Sequence, residues 1–181
     1  MGPTGREISN FMVKVELDNH DAVLCAAYAA EMCFHTRQAR GWKHHGGSSS
    51  RPFGRIFGDY VLGQLAEKAL SRHFGMRFEP PVLGDNKSAD LGGLCEVKAA
   101  DHPRSGLPVY KSQFHDDKLM SFVRMEKFTA HLMGWIFGRD AKEVWTWEPT
   151  WDTPCYRVDP KYLHPIETLP LAGRKFTREW K

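Results

Sequence analysis

Apolar residues recur at helical spacing in two stretches of the first half of the chain. The first runs through Val23, Leu24, Ala27, Tyr28, Ala30 and Phe34. Asp18 or Asn19 can cap its start, Asp21 suits the positive end of the helix dipole, and Gly41 stops it. The second covers residues 57–74, where Val61, Leu62, Leu65, Ala66, Ala69, Leu70 and Phe74 form one stripe and Gly75 is placed to end it. Between them the run Gly46-Gly47-Ser48-Ser49-Ser50 predicts a loop. Beyond Gly75 the pattern becomes strand-like, in residues 76–79, 82–83, 89–91 and 94–99, with Pro80-Pro81 making the first piece an edge or a bulge. A loop rich in Pro and Gly leads to a predicted short helix over residues 112–124. Residues 128–137 (FTAHLMGWIF) and 143–148 (EVWTWE) then read as two strands, the first nearly all apolar and therefore central. Helices, strands, a helix and more strands, in that order, predict an α/β or α+β fold with a mixed sheet.

Length and composition fit one such domain. The chain has 181 residues, 41% hydrophobic and 26% charged, enough to build a core without metal or disulfide staples. Residues 1–53 are expected to form an N-terminal helical extension, 54–165 the core and 166–181 a basic tail. The longest apolar run, residues 22–30, is far short of the roughly 18 residues of a bilayer span, and residues 1–20 carry no signal-peptide core. A cytoplasmic protein with no membrane partner is expected. Cys25, Cys33, Cys95 and Cys155 form no CxxC pair, which predicts buried reduced thiols.

The net charge of +3 hides a local excess. Residues 36–58 carry Arg37, Arg40, Lys43, Arg51 and Arg55 and no acid, the footprint of a surface that meets phosphates. Arg37 and Arg40 also complement the C-terminal dipole of the first helix.

The chemistry is concentrated in the stretch ADLGGLCEVKAA. Glu96 and Lys98 are two residues apart and share one face of a strand. A three-residue loop of Gly92, Gly93 and Leu94, with a glycine in the left-handed region, pairs Leu91 with Cys95 and sets Asp90 opposite Glu96; a two-residue Gly-Gly turn would throw Glu96 to the other face. Facing carboxylates repel by roughly 0.2–1 kcal/mol unless a cation lies between them. Such oxygens suit Mg²⁺ or Mn²⁺, which acidify a water and take phosphate oxygens as further ligands. With Lys98 to place the water or offset charge on phosphorus, the residues point to metal-assisted phosphodiester hydrolysis.

These residues and their flanks resemble the PD-(D/E)XK nuclease superfamily, in particular its small phage-type members. The resemblance lies in Gly63-Gln64-Leu65-Ala66-Glu67-Lys68-Ala69 on the second helix, in Asp90-Leu91-Gly92 and Glu96-Val97-Lys98, and in the later segments AHLMGWI, EVWTWEPTW and YRVDPKYLHP. Ala89 replaces the proline of the family's motif, a position that carries no ligand. The resemblance implies a restriction-endonuclease-like mixed sheet with an αβββαβ core flanked by helices. It also implies a Mg²⁺ site, with Mn²⁺ substituting, held by Glu67, Asp90, Glu96 and the carbonyl of Val97, with Lys98 as catalytic lysine. Asp59, eight residues before Glu67, is the rival helix acid; two turns of helix rotate it by only about 80°.

The resemblance implies hydrolysis of DNA in preference to RNA, in the cytoplasm, as by a phage-encoded chain acting in its host's cytoplasm. Arg37, Arg40, Lys43, Arg51, Arg55, Lys111, Arg174, Lys175 and Arg178 are the expected phosphate contacts, with Gln113 beside Lys111. Asp116 and Asp117 read as helix-start charges. Trp135, Trp145, Trp147 and Trp151 read as core or interface ahead of a base-stacking platform. A homodimer would place one site on each strand of a duplex. The alternative is a nuclease-like module that grips nucleic acid or a protein without cutting.

Overall fold

The computed structural model describes residues 12–40, 53–79, 90–91, 93–111, 114–149 and 154–170; the side chains of residues 36–40 fall outside that set. In chain order the elements are β1 (Val13–Glu16), α1 (Asn19–Arg40), α2 (Phe53–His73), β2 (Cys95–Ala100), β3 (Leu107–Val109), β4 (Leu119–Glu126), β5 (Thr129–Phe137), α3 (Gly138–Ala141), β6 (Thr146–Glu148) and β7 (Cys155–Val158). A four-stranded sheet has the order β1-β5-β4-β2, with β2 parallel to β4 and the other pairs antiparallel. A three-stranded antiparallel sheet has the order β3-β7-β6. The fold is mixed α and β with a mixed sheet.

The two long helices begin and end on chemistry visible in the sequence. Asp18 and Asp21 form a reciprocal capping box: the Asp21 amide donates to Asp18 Oδ1 at 2.9 Å and the Asp18 amide to Asp21 Oδ2 at 3.0 Å. Gly75, with φ of +63°, closes α2 as the Met76 amide donates to Ser71 O at 2.8 Å and the Gly75 amide to Arg72 O at 3.2 Å. Asp21 also locks α1 to α2. It is buried, with Arg72 Nη2 at 2.5 Å and Lys68 Nζ at 3.6 Å.

The larger sheet has apolar packing on both faces. Leu65, Ala66, Ala69 and Leu70 of α2 join Val97, Val123, Leu132 and Trp135 in one core. On the other side Met120, Phe122 and Ile136 pack with Leu107, Val109 and Val158 of the smaller sheet. Cys25, Cys33, Cys95 and Cys155 are free thiols and buried, and burial pushes the Cys25 and Cys95 thiols up to about 12. Among the described residues no helix is long and apolar enough to cross a membrane.

Six expectations are corrected. The helix expected over residues 112–124 is replaced by β4, which lies between β2 and β5 and is buried along most of its length. Leu119, Met120, Phe122 and Val123 serve both cores, so the alternation of a half-buried strand is erased and the spacing imitates a helix. As a result the crossover between the parallel strands β2 and β4 carries β3 where a second helix was expected, which departs from the αβββαβ order. The N-terminal extension also contributes β1, an edge strand of the main sheet with Val13 opposite Leu132 and Glu16 opposite Thr129. Finally, residues 76–79 form no strand, the strand expected over 143–148 is confined to β6, and the core continues past residue 165 through buried Ile166 and Leu169. The expected strand at 82–83 lies outside the described residues, as do Ala89, Gly92 and the loop 46–50.

Candidate active site

The turn before β2 takes the form that the site needs. Leu91 and Cys95 form an antiparallel bridge, with the Leu91 amide donating to Cys95 O at 2.9 Å and the Leu94 amide to Leu91 O at 3.0 Å. Gly93 has φ of +71°, a region that strains any residue with a Cβ. This register sets Asp90 opposite Glu96, and the Asp90 carboxylate is fixed there by the Val97 amide, which donates to Oδ2 at 2.8 Å.

Glu96 is buried on β2 and meets two ammonium groups. Lys98 Nζ is 2.7 Å from Oε1, as expected for residues two apart on a strand, and Lys118 Nζ is 2.8 Å from Oε2. Burial opposes ionisation of Glu96, but the charge of Lys98 and hydrogen bonds from Lys118 and Lys98 outweigh it and hold the carboxyl below its ordinary value.

Glu67 comes to the same place from α2. Its Oε1 accepts from Gln64 Nε2 at 3.1 Å, while Gln64 Oε1 is buried without a hydrogen-bond partner. Burial first, then repulsion from Asp90 and Glu96, pushes the Glu67 carboxyl up to about 8. Burial and Glu96 likewise push Asp90 up to about 6, against the opposing effect of the Val97 amide and of Lys98. Glu67 and Asp90 are thus both shifted toward the protonated form, while Lys98 and Lys118 both lie on Glu96. Lys68 and Arg72, the nearest cations along α2, are engaged with Asp21. Asp59 is exposed.

The structure thus brings together Glu67, Asp90, Glu96, Val97 and Lys98, and adds Lys118 and Gln64. Lys118 was hidden because β4 was read as a helix; Gln64, three residues before Glu67, was visible as an i, i+3 neighbour. Asp116 and Asp117 lie apart from the cluster: Asp116 pairs with Lys142 at 2.5 Å and Asp117 with Arg139 at 3.8 Å.

Of the expected phosphate contacts, Arg55 is exposed in the first turn of α2, and Lys111 is exposed with its Nζ 5.6 Å from the ring centres of both Trp147 and Tyr156. Arg37 and Arg40 are on the last turns of α1, without described side chains. Lys43, Arg51, Gln113, Trp151, Arg174, Lys175 and Arg178 lie outside the described residues. Trp135 is a core residue, as expected, with its indole N–H on Pro165 O at 3.1 Å and Thr168 Oγ1 at 3.0 Å.

A second group of ligand-type atoms, on Asp18, His20 and Asp21, lies within 4.8 Å. Its two carboxylates are already committed to the capping box and, for Asp21, to Arg72. Glu67, Asp90 and Glu96 are not gathered that tightly, and their oxygens too are engaged, by Gln64, the Val97 amide, Lys98 and Lys118. Comparison with known protein families, with curated proteins and with solved structures finds no match.

Proposed function

We propose that this chain is a divalent-metal-dependent deoxyribonuclease with a restriction-endonuclease-like core. The observation that carries the reading is the convergence of Glu67, Asp90 and Glu96 from two elements, where burial first and then repulsion from Asp90 and Glu96 push the Glu67 carboxyl up to about 8. A folded protein tolerates such a cluster where a cation relieves it. The parallel β2/β4 pair, with the acid-bearing turn leading directly into β2, supports the proposed core; the crossover, which carries β3, departs from it.

Glu67, Asp90, Glu96 and the Val97 carbonyl would hold Mg²⁺, or Mn²⁺ in its place. Bound there, the ion would supply charge neutralisation at the phosphate and a lowered pKa for the attacking water. The chain's own groups do the rest. Asp90 is pre-positioned by the Val97 amide. Lys98 stands beside Glu96 to orient the water and to offset charge building on phosphorus. Lys118, held on the other Glu96 oxygen, supplies a second positive charge at the phosphate. Water adds to phosphorus and one P–O bond to sugar breaks, leaving a phosphomonoester and a hydroxyl. Arg55 and Lys111 are the described cations that would hold the DNA backbone, and a homodimer would let two such sites cut a duplex.

Incubation with supercoiled plasmid and with linear single-stranded DNA, in Mg²⁺, Mn²⁺ or EDTA, tests the reading. Metal-dependent nicking or shortening is expected, and Glu96→Ala and Lys98→Ala should each reduce it by at least 100-fold (order of magnitude) while remaining folded. Undiminished cleavage by both variants would overturn it. One observation favours a second reading, a nucleic-acid-binding module: both Glu96 oxygens are already neutralised by lysines. That module would retain DNA in EDTA, salt-sensitively, and cut under no divalent ion.

A further inference from the structure

The described tryptophans do not all serve the core. Trp145 does, enclosed between Tyr156, stacked at 4.0 Å and 15°, and Phe114, edge-on at 5.2 Å. Trp147, two residues on along the edge strand β6, is opposite Tyr156 in the register with its ring centre 5.0 Å away, yet it is 44% exposed. A large aromatic ring left half in solvent on an edge strand is held in place by the Tyr156 contact while one surface stays available.

The charge beside it is positive. Lys111 Nζ stands 5.6 Å from the centres of both the Trp147 and Tyr156 rings. The residue before it, Tyr110, lies under Lys98 of the acid cluster, with its ring centre 5.8 Å from Nζ. Consecutive residues of one segment therefore touch the catalytic lysine and the exposed aromatic surface, so a strand with a phosphate at Glu96 and Lys98 would reach Trp147 within a few nucleotides.

We propose that Trp147, backed by Tyr156 and flanked by Lys111, is a stacking site for an unpaired base of single-stranded DNA that leads into the acid cluster. An indole face accepts any base, and an ammonium at its rim neutralises the adjoining phosphate. A duplex keeps its bases stacked on one another and offers no free face to the ring. The ring and charge pair thus select single-stranded segments, frayed ends or gaps. This assignment of substrate class rests on the nuclease reading, but the stacking site itself requires no cleavage.

The test is binding of a labelled oligothymidylate and of a labelled hairpin duplex to the full chain in EDTA, read by fluorescence anisotropy, with plasmid cleavage in Mn²⁺ followed in parallel. Trp147→Ala should weaken binding of the single strand roughly tenfold and of the duplex by less than about twofold. Trp147→Phe, which keeps a stacking face on the same strand, should stay within about threefold of the parent on both and guards against misfolding of the alanine variant. Equal losses on both DNAs, or none on the single strand, overturn the proposal. So does a parent dimer that Trp147→Ala converts to a monomer without altering DNA binding, since the ring would then be an interface between copies. Cleavage by a parent whose single-strand binding ignores Trp147 overturns the stacking site and leaves the nuclease. Trp147-dependent single-strand binding without cleavage does the reverse.

Discussion

At the scale of single residues, the acid cluster stores its own pH dependence. The Glu67 carboxyl titrates near its ordinary value when the chain is unfolded and at about 8 when folded, so the native state holds an extra proton across that window. A raised acid stabilises the fold least at high pH: stability falls as pH rises from about 4.5 through 8, and Asp90, raised to about 6, adds to the fall over the lower part of the range. Glu67→Gln removes the larger contribution. In EDTA its melting temperature should match the parent's near pH 4.5 and exceed it by several degrees at pH 8.5, since each kcal/mol is worth about 2–4 °C in a chain of this size. Adding Mn²⁺ at pH 8.5 should then raise the parent's melting temperature but not the variant's, because the cation replaces the proton that Glu67 gives up. A Glu67→Gln difference that stays constant from pH 4.5 to 8.5 would show that Glu67 ionises freely and does not belong to the cluster.

At the scale of elements, the turn before β2 decides whether the cluster forms, and Gly93 decides the turn. Its φ of +71° is open to asparagine at modest strain but costs alanine about 1 kcal/mol or more. Gly93→Ala should therefore lower stability by about that amount in urea and reduce cleavage further by shifting Asp90 off the Val97 amide, whereas Gly93→Asn should retain most of both; equal behaviour of the two variants would contradict it. This turn was legible because only one loop length puts Asp90 and Glu96 together, and α1 and α2 were legible because their caps and stripes agree. Lys118 was not. A strand with both faces buried shows no alternation, so β4 reads as a helix, and the residue entering it could not be placed within side-chain reach of Glu96. Asp59 against Glu67 was undecidable for a related reason: an 80° rotation on one helix is settled only by the position of the sheet. Trp145 and Trp147, which the pattern reads together as core or interface, share a pattern but not an environment: Phe114 packs edge-on against Trp145, while Trp147 is exposed.

At the scale of the whole molecule, the chain before α1 is part of the body that holds the site. The strand β1 was missed because four residues, VKVE, alternate too briefly to stand out. Its pairing covers one edge of β5, and its end is tied down twice. The Glu16 carboxylate accepts from Thr129 Oγ1 at 2.9 Å, and the Glu16 carbonyl accepts from Arg72 Nη1 at 2.8 Å. Through Arg72 the same strand is connected to Asp21 and α1, and so to the helix that carries Glu67. Removing residues 1–17 would strip the cover from β5, leaving an unpaired apolar edge, and would remove buried Leu17 from the core. The truncated chain should be either aggregated or less stable by about several kcal/mol, read as a lower urea midpoint, the order expected for a lost strand and a large-to-small core change. Cleavage should fall with the folded fraction measured by circular dichroism. A truncated chain with the parent's urea midpoint would restore the N-terminal segment to a dispensable extension, and the body that positions Glu67 would then begin at α1.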